Sequence, residues 1–181
     1  MKIFFILLLA GSCGILRAQT NAPAQTPPEP KTEISSDTFH FDGIKNQMIY
    51  LGHVFVTDNV KAKLHCEQLT VDLPPDFGHP TNIVAETDVV IDMLDEKGQT
   101  NHITADKAVY IYSVVNAVTN EVVTFTGGNP TPKVENPQFT ATGDPLVLNL
   151  VTKQFSGLNY RTFFKQPPTS GNGTNSPMKL F

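Results

Sequence analysis

Four acidic residues at regular intervals are the first candidates for chemistry in this sequence. Asp37, Glu67, Asp106 and Asp144 are separated by 30, 39 and 38 positions. A row of carboxylates can bind a metal ion or, when paired, transfer protons. Their neighbours supply no further ligands, however, and the favoured interpretation is structural: each acid accepts hydrogen bonds from backbone amides at an irregular point in a strand.

The five histidines do not form a recognisable site either. His40, His53 and His65 are predicted on strand faces opposite the apolar residues, His79 lies in a proline-rich loop and His102 follows a polar turn. They lack metal-ligand spacing, and no nucleophile motif or glycine-rich phosphate loop accompanies them. The sequence therefore predicts no enzyme, no metal site and no cofactor.

Each acidic residue occupies the same place in a pattern that reads apolar, polar, small, acidic, variable, apolar, variable, apolar. The four copies are Ile34–Phe41, Leu64–Val71, Ile103–Tyr110 and Ala141–Leu148. The first and third positions share one strand face, but the sixth and eighth are one residue out of phase. Because strand alternation cannot change phase without an irregularity, we expect a β-bulge or sharp bend at the acid. Near-even spacing of the copies predicts a repeated structural unit.

Further strands are predicted between these copies. Met48–Val56 and Ile83–Ile91 are each predicted as a strand, and short turns join each to the next copy, at Asp58-Asn59 and at 95–98. Glu121–Gly128 supplies the corresponding strand before the last copy. No helical periodicity is present outside the N-terminal segment. The sequence thus predicts an all-β fold of stacked antiparallel hairpins, open at its ends.

The apolar positions of these strands are the candidate interior. They are Phe39, Phe41, Met48, Tyr50, Val54, Val56, Leu64, Leu69, Val71, Ile83, Val89, Ile91, Ile103, Ala108, Tyr110, Phe125, Leu146 and Leu148. They either fill a packed core, as is usual for a β-sandwich, or line an apolar groove. Periodicity alone does not separate these alternatives.

The ends of the chain predict export. Residues 1–18 have the charged start and short apolar run of a cleaved secretory signal peptide. A lipid-anchored N-terminus at Cys13 is the alternative. Residues 19–32 form a proline-rich flexible leader, 33–164 one domain, and 165–181 a disordered tail.

Composition excludes further classes of protein. Removing Lys2 and Arg17 with the signal peptide leaves 11 basic and 17 acidic residues, a net charge of −6, which argues against nucleic acid as a partner. Cys66 is then the sole cysteine, so no disulfide can form within the chain.

Three segments resemble the OstA-like (organic solvent tolerance), or LptA-like, family: Gly52–Val56, Ile103–Ala108 and Val122–Gly127. The resemblance extends from Ile34 to Gly157. It implies a V-shaped β-jellyroll whose hydrophobic groove shields lipopolysaccharide acyl chains in the periplasm between the inner and outer membranes, as part of outer-membrane biogenesis. The implied partners are lipopolysaccharide or a related glycolipid, related β-jellyroll domains of inner- and outer-membrane transport proteins, and further copies in a head-to-tail homo-oligomer.

A different function stays open: an envelope scaffold that binds other β-domains through its sheet ends and carries no lipid. Three local features depart from the family pattern or qualify it. Pro145 predicts an edge or terminal strand, and the Leu73–Pro80 insertion is expected to cap or gate one side of the stack. Lys61 and Lys63 are expected either to protect an edge strand or to meet lipid headgroups.

Overall fold

The computed structural model describes residues 32–58 and 61–165. The predicted signal peptide lies outside these residues, as do the leader except Thr32 and the tail except Lys165. The described part contains twelve β-strands and no helix. The strands are β1 (Glu33–Ser35), β2 (Thr38–Asp42), β3 (Gln47–Thr57), β4 (Ala62–Asp72), β5 (Asn82–Leu94), β6 (Thr100–Val115), β7 (Val118–Thr126), β8 (Lys133–Glu135), β9 (Phe139–Thr142), β10 (Leu146–Asn149), β11 (Gln154–Gly157) and β12 (Arg161–Phe164).

All strand pairs are antiparallel and belong to one unclosed sheet. The all-β prediction is therefore confirmed, and so are the antiparallel hairpins β3–β4 and β5–β6. In the second of these, the Asp95 carboxylate accepts hydrogen bonds from the backbone amides of Lys97 and Gln99, both at 2.8 Å. This is the local bonding that suits aspartate to a tight turn.

The four long strands β3 to β6 each change direction part-way and so contribute to two layers. Layer A contains β2, residues 47–51, 68–72, 82–86 and 107–115 of the long strands, then β7, β10 and β11. Layer B contains β1, residues 54–57, 62–66, 89–94 and 100–105 of the long strands, then β8, β9 and β12. We call the line where the layers meet the crease, and the strand ends farthest from it the free ends.

The crease coincides with the acidic positions. Residues 52–53 of β3 lie together opposite Glu67, and residues 87–88 of β5 lie together opposite Asp106. All four residues of these two pairs have positive φ, between 46° and 78°. The predicted β-bulges are thus confirmed, and the structure adds that the extra residue belongs to the strand beside the acid.

Asp37 and Asp144 fall where the chain leaves one layer for the other, between β1 and β2 and between β9 and β10. Asp37 contacts the crease of β3: its Oδ2 lies 2.8 Å from Nδ1 of His53. Glu67 accepts a long hydrogen bond of 3.5 Å from the backbone amide of His53. Glu67 thus accepts the expected hydrogen bond from a backbone amide, whereas the partner of Asp37 is an imidazole ring; for Asp106 and Asp144 the expectation stays a prediction.

Two predictions about edge strands are wrong. β10, which follows Pro145, lies between β7 and β11 and is not an edge strand. Pro145 precedes the first ladder residue, so its missing N–H removes no bond from the strand. Lys63 lies on β4, which pairs with β3 on one side and β5 on the other. It cannot protect an edge, and Lys61 lies in the turn before that strand.

Candidate functional site

Sixteen of the eighteen candidate interior residues lie in or against one hydrophobic cluster. Nine are buried in it: Val54, Leu69, Val71, Val89, Ile103, Ala108, Phe125, Leu146 and Leu148. Seven are partly buried and pack against it: Met48, Tyr50, Val56, Leu64, Ile83, Ile91 and Tyr110. Phe39 and Phe41, on the outermost strand of layer A, share this face but are 57% and 39% exposed. The interior is therefore open at the β2 end of the sheet.

Burial decreases from the crease towards the free ends along β5 in both layers, whereas Val71, Ile103 and Leu148 on other strands remain buried away from the crease. In layer A, Ala85 is buried beside the crease, whereas Ile83 on the same strand face is only partly buried. In layer B, Val89 is buried, and Ile91 and Met93 beyond it are partly buried. The side chains thus fill the space near the crease, while farther out the apolar faces are accessible on some strands and covered on others. This is the burial expected of an interior that is partly open between its free ends.

The chemistry of the interior is apolar throughout. Among the described residues, no polar or charged side chain is buried. Burial raises the pKa of Tyr50, and it raises that of Tyr110 to about 12, with a smaller contribution from the Glu121 carboxylate. Burial likewise raises the pKa of the Cys66 thiol to about 11. An environment that disfavours these anions accommodates hydrocarbon and excludes charged groups.

An aromatic group at the free end of layer A was missed by the strand patterns. The loop after β4 places the ring of Phe77 6.1 Å from that of Phe41, and His79 stacks 4.2 Å from Tyr112. Because these contacts involve the inward faces of β2 and β6, the loop crosses the end of the interior. This agrees with the expectation that the Leu73–Pro80 segment caps one side. In the sequence, the one signal for this aromatic group was a phenylalanine within a proline-rich loop.

The outward face carries a second set of titratable groups, which includes three histidines. Besides the His53–Asp37 pair, Nδ1 of His102 lies 2.7 Å from Oδ1 of Asp92, across the pair β5–β6. His65 packs its ring 4.6 Å from Phe55. In residues 32–58 and 61–165, no three His, Cys, Asp or Glu side chains are grouped so as to hold a metal ion. His53 and His102 therefore act as surface hydrogen-bonding groups, and His65 packs against an aromatic ring.

The described segments also contain no helix of the length and hydropathy needed to cross a membrane.

Comparison with known proteins identifies the fold. No protein-family model and no curated protein matches the sequence. Fourteen chains of solved structures match in fold. One is LptH from Pseudomonas aeruginosa, described as the LptA homologous periplasmic component of the conserved lipopolysaccharide transport device. It superposes with a TM-score of 0.58 at 14% identity, over 83% of this chain and 92% of LptH.

The chain has the fold of an LptA homologue. The resemblance detected in three short segments is thus confirmed at the level of the fold, and with it the unclosed β-jellyroll. LptH is described as a component of a transport device. The LptA-type fold does not by itself assign a ligand, because one fold serves many functions.

Proposed function

We propose that this chain is an exported, non-enzymatic periplasmic carrier that holds lipopolysaccharide acyl chains between its two layers during their transport to the outer membrane. One observation carries the proposal: both layers present apolar faces that become accessible along β5 towards the free ends, in a fold shared with a lipopolysaccharide transport component. A closed sandwich would instead bury these faces along their whole length.

The energetics of such binding are sufficient without a covalent step. Each buried methylene contributes about 0.8 kcal/mol, so a chain with roughly ten buried methylenes contributes about 8 kcal/mol. If the free-energy cost of lost translational freedom is left out, this contribution corresponds to a dissociation constant of about 1 µM. Several acyl chains per lipid increase the contribution. Displacing the partly buried side chains, such as Ile83 and Ile91, makes room for them.

The headgroup remains outside the interior in this proposal. The mature chain carries a net charge of −6, which repels phosphate groups at long range. The interior offers a phosphate no buried polar or charged side chain in the described segments. Selectivity for lipopolysaccharide over other lipids then depends on the number and arrangement of acyl chains.

Photocrosslinking in cells tests the proposal with matched pairs of adjacent strand residues. A photoreactive residue is placed at the inward positions Ile83, Ile91 and Tyr110, and at the outward positions Val84, Val90 and Val109. Members of a pair occupy the same strand at similar burial but face opposite sides of the sheet. We expect lipopolysaccharide adducts at the inward positions and none at the outward ones. Equal labelling of both sets, or no lipid adduct at any position, would contradict the carrier function.

A scaffold that joins β-domains is the second candidate function, and exposed aromatic residues at the sheet ends favour it. Phe39 at one end and Phe163 and Phe164 on β12 at the other are exposed on strands that have a free edge in the described part of the chain. Such edges can pair with related β-jellyroll domains or with another copy, head to tail. Adducts that contain only protein, formed from these end positions, would favour the scaffold.

A further inference from the structure

The β6–β7 hairpin extends beyond the rest of layer A. On one side, its last backbone neighbour is Thr81, whose carbonyl accepts the amide of Tyr112 at 3.0 Å. On the other side, the amide of Leu150 donates to the carbonyl of Glu121 at 2.9 Å. The ladder between β6 and β7 nevertheless continues to the pair Val115–Val118. Residues 113–120 therefore project past the sheet without strand neighbours on either side in the described structure.

This projecting tip is uncharged and carries three exposed valines. No charged residue occurs between Lys107 and Glu121. Val114, Val115 and Val118 are 52%, 63% and 67% exposed. Exposed apolar groups clustered on one projecting element are characteristic of a surface that contacts another molecule. The tip is thus a candidate contact site outside the interior itself.

Strand alternation assigns the three valines to different faces. Tyr110, Tyr112 and Val114 are two residues apart along β6, so they share the inward face. His79 confirms this assignment, because its ring contacts both tyrosine rings, with centroids 6.2 Å and 4.2 Å away. Val115 and Val118 face outward. Along β6 the inward apolar surface therefore continues from the interior, past the aromatic loop, to Val114 at the tip, while Glu121 and Thr119 lie across the ladder on β7.

We propose that this inward surface of the hairpin, formed by Tyr112 and Val114 beside His79, is the site where a lipid acyl chain first binds on its way into the interior. The proposal rests on the carrier function proposed above and adds the route that the lipid takes. Continuity with the interior favours hydrocarbon as the occupant. Glu121, directly across the ladder from Tyr112, disfavours a phosphate at the same place.

Alternative occupants of the hairpin predict a different face. A protein that docks on the hairpin from outside would contact Val115 and Val118. Deep insertion of the tip into a bilayer would leave backbone groups at both free strand edges without partners in hydrocarbon, which is unfavourable. The experiment must therefore distinguish binding at the inward face of the hairpin from binding at its outward face.

The test compares Val114→Lys with Val115→Lys in the otherwise complete mature protein. The two valines are adjacent, similarly exposed and on opposite faces, so the variants match in charge and position. Stopped-flow fluorescence measures the uptake rate of two probes: fluorescently labelled lipopolysaccharide, and cis-parinaric acid, which has an acyl chain without the glycolipid headgroup. Circular dichroism and equilibrium binding of each probe accompany the rates.

We expect V114K to take up both probes about tenfold more slowly, equivalent to a barrier higher by about 1.4 kcal/mol. V115K should stay within about twofold of the unchanged protein, and both variants should reach its equilibrium amount of bound probe. Equal rates for V114K and the unchanged protein, or slower uptake by V115K alone, would overturn the inferred route while leaving the carrier function intact. If the unchanged protein binds neither probe, the carrier function itself fails.

Discussion

Gly127 gives the sharpest test of how the crease is built. This residue follows β7, where the chain leaves layer A for layer B, and its backbone φ is +153°. A Cβ atom here would lie 2.7 Å from Cβ of Asp106 and 3.0 Å from its backbone nitrogen. Both atoms belong to the crease of β6, so they cannot move unless the strand moves. Gly127→Ala should therefore destabilise the fold.

The magnitude has two contributions. A residue other than glycine in such a backbone region costs about 1–3 kcal/mol, and overpacking against a fixed backbone costs a further ~1–3 kcal/mol. Together they predict a loss of roughly 2–6 kcal/mol, a large part of the ~5–15 kcal/mol typical of a domain. The control is the neighbouring Gly128, where an added Cβ would meet nothing within 4 Å. Gly128→Ala should be neutral, or stabilising by up to ~1 kcal/mol through the unfolded chain.

Urea denaturation followed by far-ultraviolet circular dichroism measures both variants at 25 °C. We expect a lower transition midpoint for Gly127→Ala with little change in the slope of unfolding free energy against urea. A free energy of unfolding for Gly127→Ala within about 0.5 kcal/mol of that for Gly128→Ala would refute the account. In that case the crease would tolerate a side chain at Gly127, and the close approach to β6 would not constrain it.

Two further predictions concern titratable groups. The hydrogen bond and charge of Asp37 raise the pKa of His53 above 6.5, so the protonated ring stabilises the fold at low pH, and this contribution is lost as pH rises through the folded-state pKa. Asp37→Asn should lower the pKa of His53 in an NMR titration, and an unchanged value would contradict the pairing. The Cys66 thiol, with its pKa raised to about 11 by burial, should react with a disulfide reagent at pH 8 only after denaturant is added. Rapid reaction of the folded mature protein, in which Cys66 is the sole cysteine, would contradict this burial.

Local sequence patterns were sufficient for the strands and for the phase change within them. Alternation of apolar and polar residues is a property of neighbouring positions, so it predicted the all-β fold and the irregularity at Glu67 and Asp106. The turn at 95–98 was predictable for the same reason, because its hydrogen bonds join residues within a few positions. Sixteen of the eighteen candidate interior residues lie in or against the hydrophobic cluster, and their binding of lipid stays a prediction.

Pairings between distant segments were decided only in the tertiary structure. Pro145 suggested an edge strand because its ring removes a hydrogen-bond donor. One neighbour of β10 is nevertheless β7, more than twenty positions earlier in the chain, and the other is β11, which follows the next turn. The loop that carries Phe77 and His79 has no periodicity, and its place over the interior depends on contacts with β2 and β6. The sequence by itself thus determined which faces are apolar and where each strand must bend. Tertiary packing determined how far those faces are covered, because coverage depends on non-local contacts that no local pattern encodes.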